Sequence, residues 1–237
     1  QNPPGYSKNK KVEIEFFNDT HMPWRHDQDG KSNFTHGTEW YAQFFSHCVG
    51  DLLRGESSPV YLHAPEVPGR IFAHNPKAKL ILLLRDPITR LFSLYNYTKM
   101  NNEGSTRVPE TFREFLNVTG VIDLSMYHKH IANYLRYFPK EQLLTIVYED
   151  IEKNPEAIVK RVYDFLGIDM VPVPAFASEK INSAESRLIE ERNRLWRTRY
   201  GRYIAKILSL RDLIIPPPRA VTPKLSQEDT NYLLQTY

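Results

Sequence analysis

The sequence predicts an α/β fold with a central parallel sheet flanked by helices, and three observations carry that expectation. Residues 79–84, KLILLL, form a short apolar run without alternation, as in a strand covered on both faces. The run stops at Arg85, and Asp86-Pro87 then opens a pattern in which Leu91, Phe92 and Tyr95 recur at helical spacing. Asp86 is a good N-cap and Pro87 has the fixed φ that suits the first helical position. A second strand followed by a helix is expected at 142–166, and strands alternating with helices build parallel sheets.

In chain order, Val12 to Phe17 reads as a strand with Val12, Ile14 and Phe16 on its apolar face, followed by a polar and aromatic loop over 18–36. A helix is expected over 37–54, a short strand over 59–63 and a helical stretch over 66–75. The strand 79–84 and the helix 87–101 come next. Helices near 109–117 and 125–137, a strand over 142–148 and a helix over 154–166 complete the alternation, and prolines break 171–176. Ser186 to Leu210 is a long basic helical pattern that Pro216-Pro217-Pro218 interrupts. Leu225 to Tyr237 reads as a terminal helix capped by Ser226, with Glu228 and Asp229 in its first turn. A chain of 237 residues, 41% of them hydrophobic, can bury one substantial core. A single domain over 1–237 is therefore expected, its part from 178 to 237 helical and Pro-broken.

Composition narrows the function classes. A net charge of +3 is too small for bulk nucleic-acid binding, and the basic segments Lys8 to Lys11 and Arg187 to Arg202 read as solvated faces or as local attractors of an anionic partner. No apolar run approaches the roughly 18 residues of a membrane span. Cys48 is the only cysteine, which removes an intramolecular disulfide and a cysteine-based zinc cluster, and no metal is expected. Asn18, Asn33, Asn96 and Asn117 begin Asn-x-Thr sequons, acceptors only in a secretory compartment.

A strand, a tight turn and a helix start together favour an anion. Free N–H groups and the positive end of the helix dipole meet it, and Arg85 can add a charge-assisted contact. The competing reading is a surface salt bridge between Arg85 and Asp86 over an ordinary turn. The wording Arg85-Asp86-Pro87-Ile88-Thr89-Arg90-Leu91-Phe92-Ser93-Leu94-Tyr95 resembles the 3′-phosphate-binding segment of sulfotransferases that use 3′-phosphoadenosine 5′-phosphosulfate (PAPS). Upstream, Glu13-Ile14-Glu15-Phe16-Phe17-Asn18 and His36-Gly37-Thr38-Glu39-Trp40-Tyr41 are similar to segments of the heparan sulfate 3-O- and N-sulfotransferase group. Downstream, Tyr127 to Ile131, Tyr134 to Pro139, Leu143 to Asp150 and Val162 to Gly167 resemble the same enzymes and bacterial sulfotransferase-like sequences. The resemblance spans roughly residues 11 to 170.

It implies a three-layer sulfotransferase fold of P-loop NTPase type and transfer of a sulfuryl group from PAPS to a hydroxyl or amine, leaving adenosine 3′,5′-bisphosphate (PAP). Arg85 and Ser93 would hold the 3′-phosphate, while Arg90 has no assigned role. Glu13 would be the general base, matching the family's glutamate two residues before a histidine that here is Glu15. The other reading puts Glu13 and Glu15 together on the solvent side of an edge strand. His63, in His63-Ala64-Pro65, occupies the place of a family lysine near the transferring group, or is a hydrogen-bonded structural histidine at a strand end. Arg219 stands in for a nucleotide-closing loop that the sequence lacks. The loop 18–33, with His21, Trp24, Arg25, His26 and Lys31, suits a carbohydrate acceptor through stacking and charge, and suits other polar acceptors equally. A bacterial member would work in the cytoplasm; the alternative is the Golgi lumen.

One departure is marked. The family begins with a strand and a Lys-containing loop for the 5′-phosphosulfate, and only twelve residues precede Glu13 here. A first strand and phosphate loop are thus expected upstream of Gln1. A catalytically inert homologue that binds PAP or a glycan is the runner-up, and a nucleotide kinase-like phosphotransferase, with Glu149-Asp150 as its carboxylates, comes third.

Overall fold

A computed structural model describes residues 13–19, 32–48, 50, 52–101, 109–170 and 225–236. The chain divides into two compact units, Gln1–Asp169 with Gln227–Tyr237, and Met170–Ser226. Arg219, the acceptor loop from 20 to 31, and the Pro-broken segment up to residue 224 lie outside the described residues.

Two strands pair in parallel, β1 (Leu80–Leu84) with β2 (Leu143–Val147), Leu80 opposite Leu143 and Leu84 opposite Val147. Leu82 and Ile146 are buried at the centre. Ile81 and Leu83, on the other pleat, are 41% and 56% exposed, so among the described residues β1 is covered on one face rather than both. Gln142 fixes the starts of both strands by donating from Nε2 to the carbonyls of Pro76 and Ala78, at 3.0 and 2.8 Å.

The helices are α1 (Gly37–Ala42), α2 (Val67–His74), α3 (Pro87–Asn101), α4 (Phe112–Leu116), α5 (Tyr127–Leu135), α6 (Tyr148–Lys153), α7 (Pro155–Leu166) and α8 (Gln227–Thr236). Their ends follow local chemistry. Thr111 and Glu114 form a reciprocal capping box at α4. Asn154 caps Ala157 N–H at 3.1 Å ahead of Pro155, and α7 stops at Gly167, whose φ of 74° needs no Cβ. Lys79 Nζ donates to the carbonyls of Phe165 and Leu166 at 2.7 and 2.9 Å, a cation on the negative end of α7.

The core gathers Ile14, Phe16, Phe17, Tyr41, Ala64, Val67, Ile71, Tyr134 and Phe138, with Leu80 and Leu143 packed against them. Phe16 stacks on Tyr41 at 4.6 Å between centroids. Gly69 allows the Tyr137 ring to approach α2, since a Cβ there would stand 3.2 Å from it.

Two expected strands are absent from the described residues. Residues 13–19 form no strand, because the N–H groups that a ladder would use go to side chains instead: Glu15 N–H to Ser58 Oγ at 3.1 Å, Phe16 and Phe17 N–H to Tyr61 Oη at 2.7 and 3.2 Å. Residues Pro59–Leu62 form a tight helical turn rather than a strand. Pro59 lacks the N–H that a central strand would donate and suits a helical first turn. The helix expected over 37–54 ends at Ala42 and continues only as a tight turn at Gln43–Phe45.

Candidate functional site

The turn after β1 is built as its sequence suggests. Asp86 Oδ1 accepts from Thr89 N–H at 2.8 Å, capping α3, and Arg90 N–H returns to the Asp86 carbonyl at 2.9 Å. With its carboxylate so engaged, Asp86 forms no ion pair with Arg85. The Arg85 guanidinium instead lies 5.4 Å from the centroid of Tyr148, the first residue past β2. Arg85 and Ser93 are both exposed. Asp86 N–H donates to Glu149 Oε1 at 3.1 Å, so the two strand ends are tied at the place where parallel sheets receive ligands.

Behind this turn lie buried polar atoms with no hydrogen-bond partner, Glu149 Oε2 and both ring nitrogens of His63. The Tyr127 hydroxyl stands among Arg90, the Arg85 main chain, Asp86 and Glu149, and burial raises its pKa. Arg90, unassigned in the sequence, is half-buried and donates from Nη1 to the buried Ser125 Oγ at 2.9 Å. Its charge acts on His63, Tyr127 and His130 alike. The His63 ring lies 6.1 Å from that of His130, whose Nε2 is 2.8 Å from the Asp123 carbonyl oxygen.

His63 follows the turn Pro59–Leu62, which α5 grips from one side: Tyr134 Oη donates to the Tyr61 carbonyl at 2.8 Å, and Asn133 Nδ2 to that of Pro65 at 2.9 Å. Burial, then Arg90, then His130 lower the His63 pKa to about 4, against a small opposing effect of Glu66. The imidazole is therefore neutral at pH 7, and it cannot supply the charge of a lysine.

Glu13 and Glu15 do not share a face. Glu13 is exposed and Glu15 is 7% exposed, because Glu15 takes a positive φ of 46°, a strained value for a residue with a Cβ. The segment runs beside the turn and α2: Glu15 at Ser58, Phe16 and Phe17 at Tyr61, and Arg70 Nη1 on the Phe17 carbonyl at 3.1 Å. Asn33 Nδ2 holds the Ile14 carbonyl at 2.9 Å. Glu13 thus stands at the end of the segment nearest Ser58, whereas His63 faces Arg90 and His130.

Sequence reasoning missed Glu56. Its Oε1 accepts from the phenols of Tyr41 and Tyr61 at 2.8 and 3.0 Å, and its Oε2 from Ser58 Oγ at 3.2 Å. Burial raises its pKa, and these three hydrogen bonds oppose the rise. A cavity of about 300 Å³ opens beside it, with Ile14, Phe44, His47 and Arg54 among its walls. Among the described residues no group of histidine, cysteine and carboxylate side chains could hold a metal, and no helix is long and apolar enough to cross a membrane.

Comparison with known proteins gives this arrangement a context. A sulfotransferase-domain family model matches residues 33–191. Heparan sulfate glucosamine 3-O-sulfotransferase 6 of mouse and of human are each 32% identical over 147 residues, covering 58% of this chain and 42% of theirs. Human bifunctional heparan sulfate N-deacetylase/N-sulfotransferase 3 is 29% identical over 171 residues, covering 66% of this chain and 18% of its own. The chain thus spans 42% or less of the length of these relatives. A solved sulfotransferase from Alicyclobacillus acidocaldarius superposes with a TM-score of 0.58 at 24% identity, over 85% of this chain and 83% of that one, and shows the shared fold.

Proposed function

The chain belongs to the sulfotransferase-domain family, and from that premise we propose that it transfers a sulfuryl group from PAPS to a hydroxyl or amine of a carbohydrate, leaving PAP. The observation that carries the proposal is the turn at β1: Arg85, just before α3, and Ser93, in its second turn, are both exposed, and Asp86, occupied by capping, does not neutralise Arg85. A guanidinium, a hydroxyl and a helix N-terminus are the donors that a phosphate takes. Bound there, the donor would supply an activated sulfuryl group.

The chain's own residues divide the remaining work. Arg85 and Ser93 bind the 3′-phosphate. Glu13, exposed at the start of its segment, accepts the proton of the acceptor hydroxyl or amine as the new bond to sulfur forms. His63, kept neutral by burial and Arg90, contributes a hydrogen bond from an uncharged ring. The 3-O- and N-sulfotransferase relatives are named for heparan sulfate, which supports a glycan acceptor bearing a free hydroxyl or amine.

Calorimetric titration with PAP tests the binding half. Wild type should bind, and Arg85→Ala should weaken binding by 10-fold or more, since a charge-assisted contact contributes roughly 1.5–3 kcal/mol. Equal affinity in the two proteins would move the nucleotide away from this turn. Binding of PAP without transfer to any glycan would favour the inert binding homologue.

A further inference from the structure

The segment that carries Glu13 has no ladder to hold it, yet it takes one defined and strained path. Its three consecutive N–H groups, from Glu15 to Phe17, all donate to side-chain hydroxyls of the turn opposite, those of Ser58 and Tyr61. A hydroxyl has one proton and two lone pairs. Tyr61 Oη spends its lone pairs on the N–H groups of Phe16 and Phe17, and its proton on Glu56 Oε1. Ser58 Oγ accepts from Glu15 N–H and gives its proton to Glu56 Oε2. Both hydroxyls are thereby turned with their lone pairs toward the segment. One carboxylate, anchored a third time by Tyr41, sets the orientation of each.

The geometry points to Glu56 as a positioning residue for the proton-transfer step: through Tyr61 and Ser58 it fixes the main chain of Glu15, Phe16 and Phe17, and so sets where the Glu13 carboxylate stands. This rests on the assignment of Glu13 as base in the proposed function. The strained Glu15 backbone agrees with it, since such a conformation persists only where its surroundings impose it. A charge-assisted pair of phenol donors is the stronger kind of hydrogen bond, and a small displacement of a reacting group lowers rates by as much as about 10².

The test uses Tyr61→Phe and Glu56→Gln in the full chain, with amide hydrogen exchange, PAP affinity and transfer from PAPS to heparan sulfate as readouts. Tyr61→Phe keeps the ring that packs on Phe17 and removes only the hydroxyl. Exchange at residues 15–17 should rise while β1 stays protected, PAP affinity should hold, and kcat should fall roughly 10- to 100-fold. Glu56→Gln, which retains one acceptor oxygen, should fall between wild type and Tyr61→Phe. In a Glu13→Gln background neither change should lower kcat further, because the group being positioned is gone. Unchanged exchange at 15–17 would overturn the inference, as would an undiminished effect on kcat in the Glu13→Gln background. Should wild type transfer nothing to any acceptor, the proposed function fails, and exchange alone still decides whether Glu56 holds the segment. If Tyr61→Phe does not fold, Ser58→Ala with Glu56→Gln answers the same question at Glu15.

Discussion

Glu149 Oε1 accepts the main-chain N–H of Asp86 at 3.1 Å, so a residue just past β2 holds the residue that starts α3. The second oxygen of the same carboxylate is buried with no hydrogen-bond partner. Glu149→Gln keeps an acceptor for Asp86 N–H, whereas Glu149→Ala leaves that N–H unmatched. Denaturant titration should therefore show a loss of about 1–2 kcal/mol for Ala and a smaller one for Gln. Equal losses would mean that the hydrogen bond adds nothing to the turn.

His63 makes stability depend on pH. Its pKa in the folded chain is about 4 against an ordinary 6.5, so between those values the unfolded chain binds more protons. The stabilisation is complete above pH 6.5 and is lost as pH falls toward 4, with a slope of up to about 1.4 kcal/mol per pH unit. His63→Gln should flatten that slope, with the part due to His130, also lowered by burial, remaining. Arg90→Gln removes the second cause of the depression, and the His63 ring should then titrate closer to 6.5 by NMR.

Phe16 is fully buried and stacks on Tyr41, with Phe17, Phe34 and Trp40 around it. Phe16→Ala should destabilise the chain by about 3–5 kcal/mol. Because Phe16 lies in the segment that carries Glu13, turnover should fall too. A loss below about 1 kcal/mol, read from the denaturation midpoint, would show that this aromatic cluster is not the keystone of the core.

What the sequence made legible had local causes. An unbroken apolar run marks β1, Asp86-Pro87 starts α3, Asn154-Pro155 starts α7 and Gly167 ends it, and each lies within a residue or so of its expected bound. Arg85 and Ser93 are the first and last of nine consecutive positions in the same stretch, and their role there is the proposal. The strand expected at 12–17 was not, because its alternation is genuine while its hydrogen bonds go to Ser58 and Tyr61, more than forty residues away. Period-two reasoning therefore placed Glu13 and Glu15 together, and the positive φ at Glu15 separates them. Glu56 and Tyr127 carry no spacing that marks them; their roles come from burial and from what the fold brings beside them.

The central claim is sulfuryl transfer with Glu13 as base, and the most direct measurement is the rate of transfer from PAPS to heparan sulfate by wild type, Glu13→Gln and Glu15→Gln, with PAP affinity followed in parallel. Glu13→Gln keeps the shape but removes the basic lone pair, so turnover should fall by roughly 10²- to 10⁴-fold while PAP affinity holds. Glu15→Gln, at a buried and strained position, should lower stability more than turnover at a temperature where it is folded. Equal turnover in wild type and Glu13→Gln, or a larger loss in folded Glu15→Gln, would contradict the account.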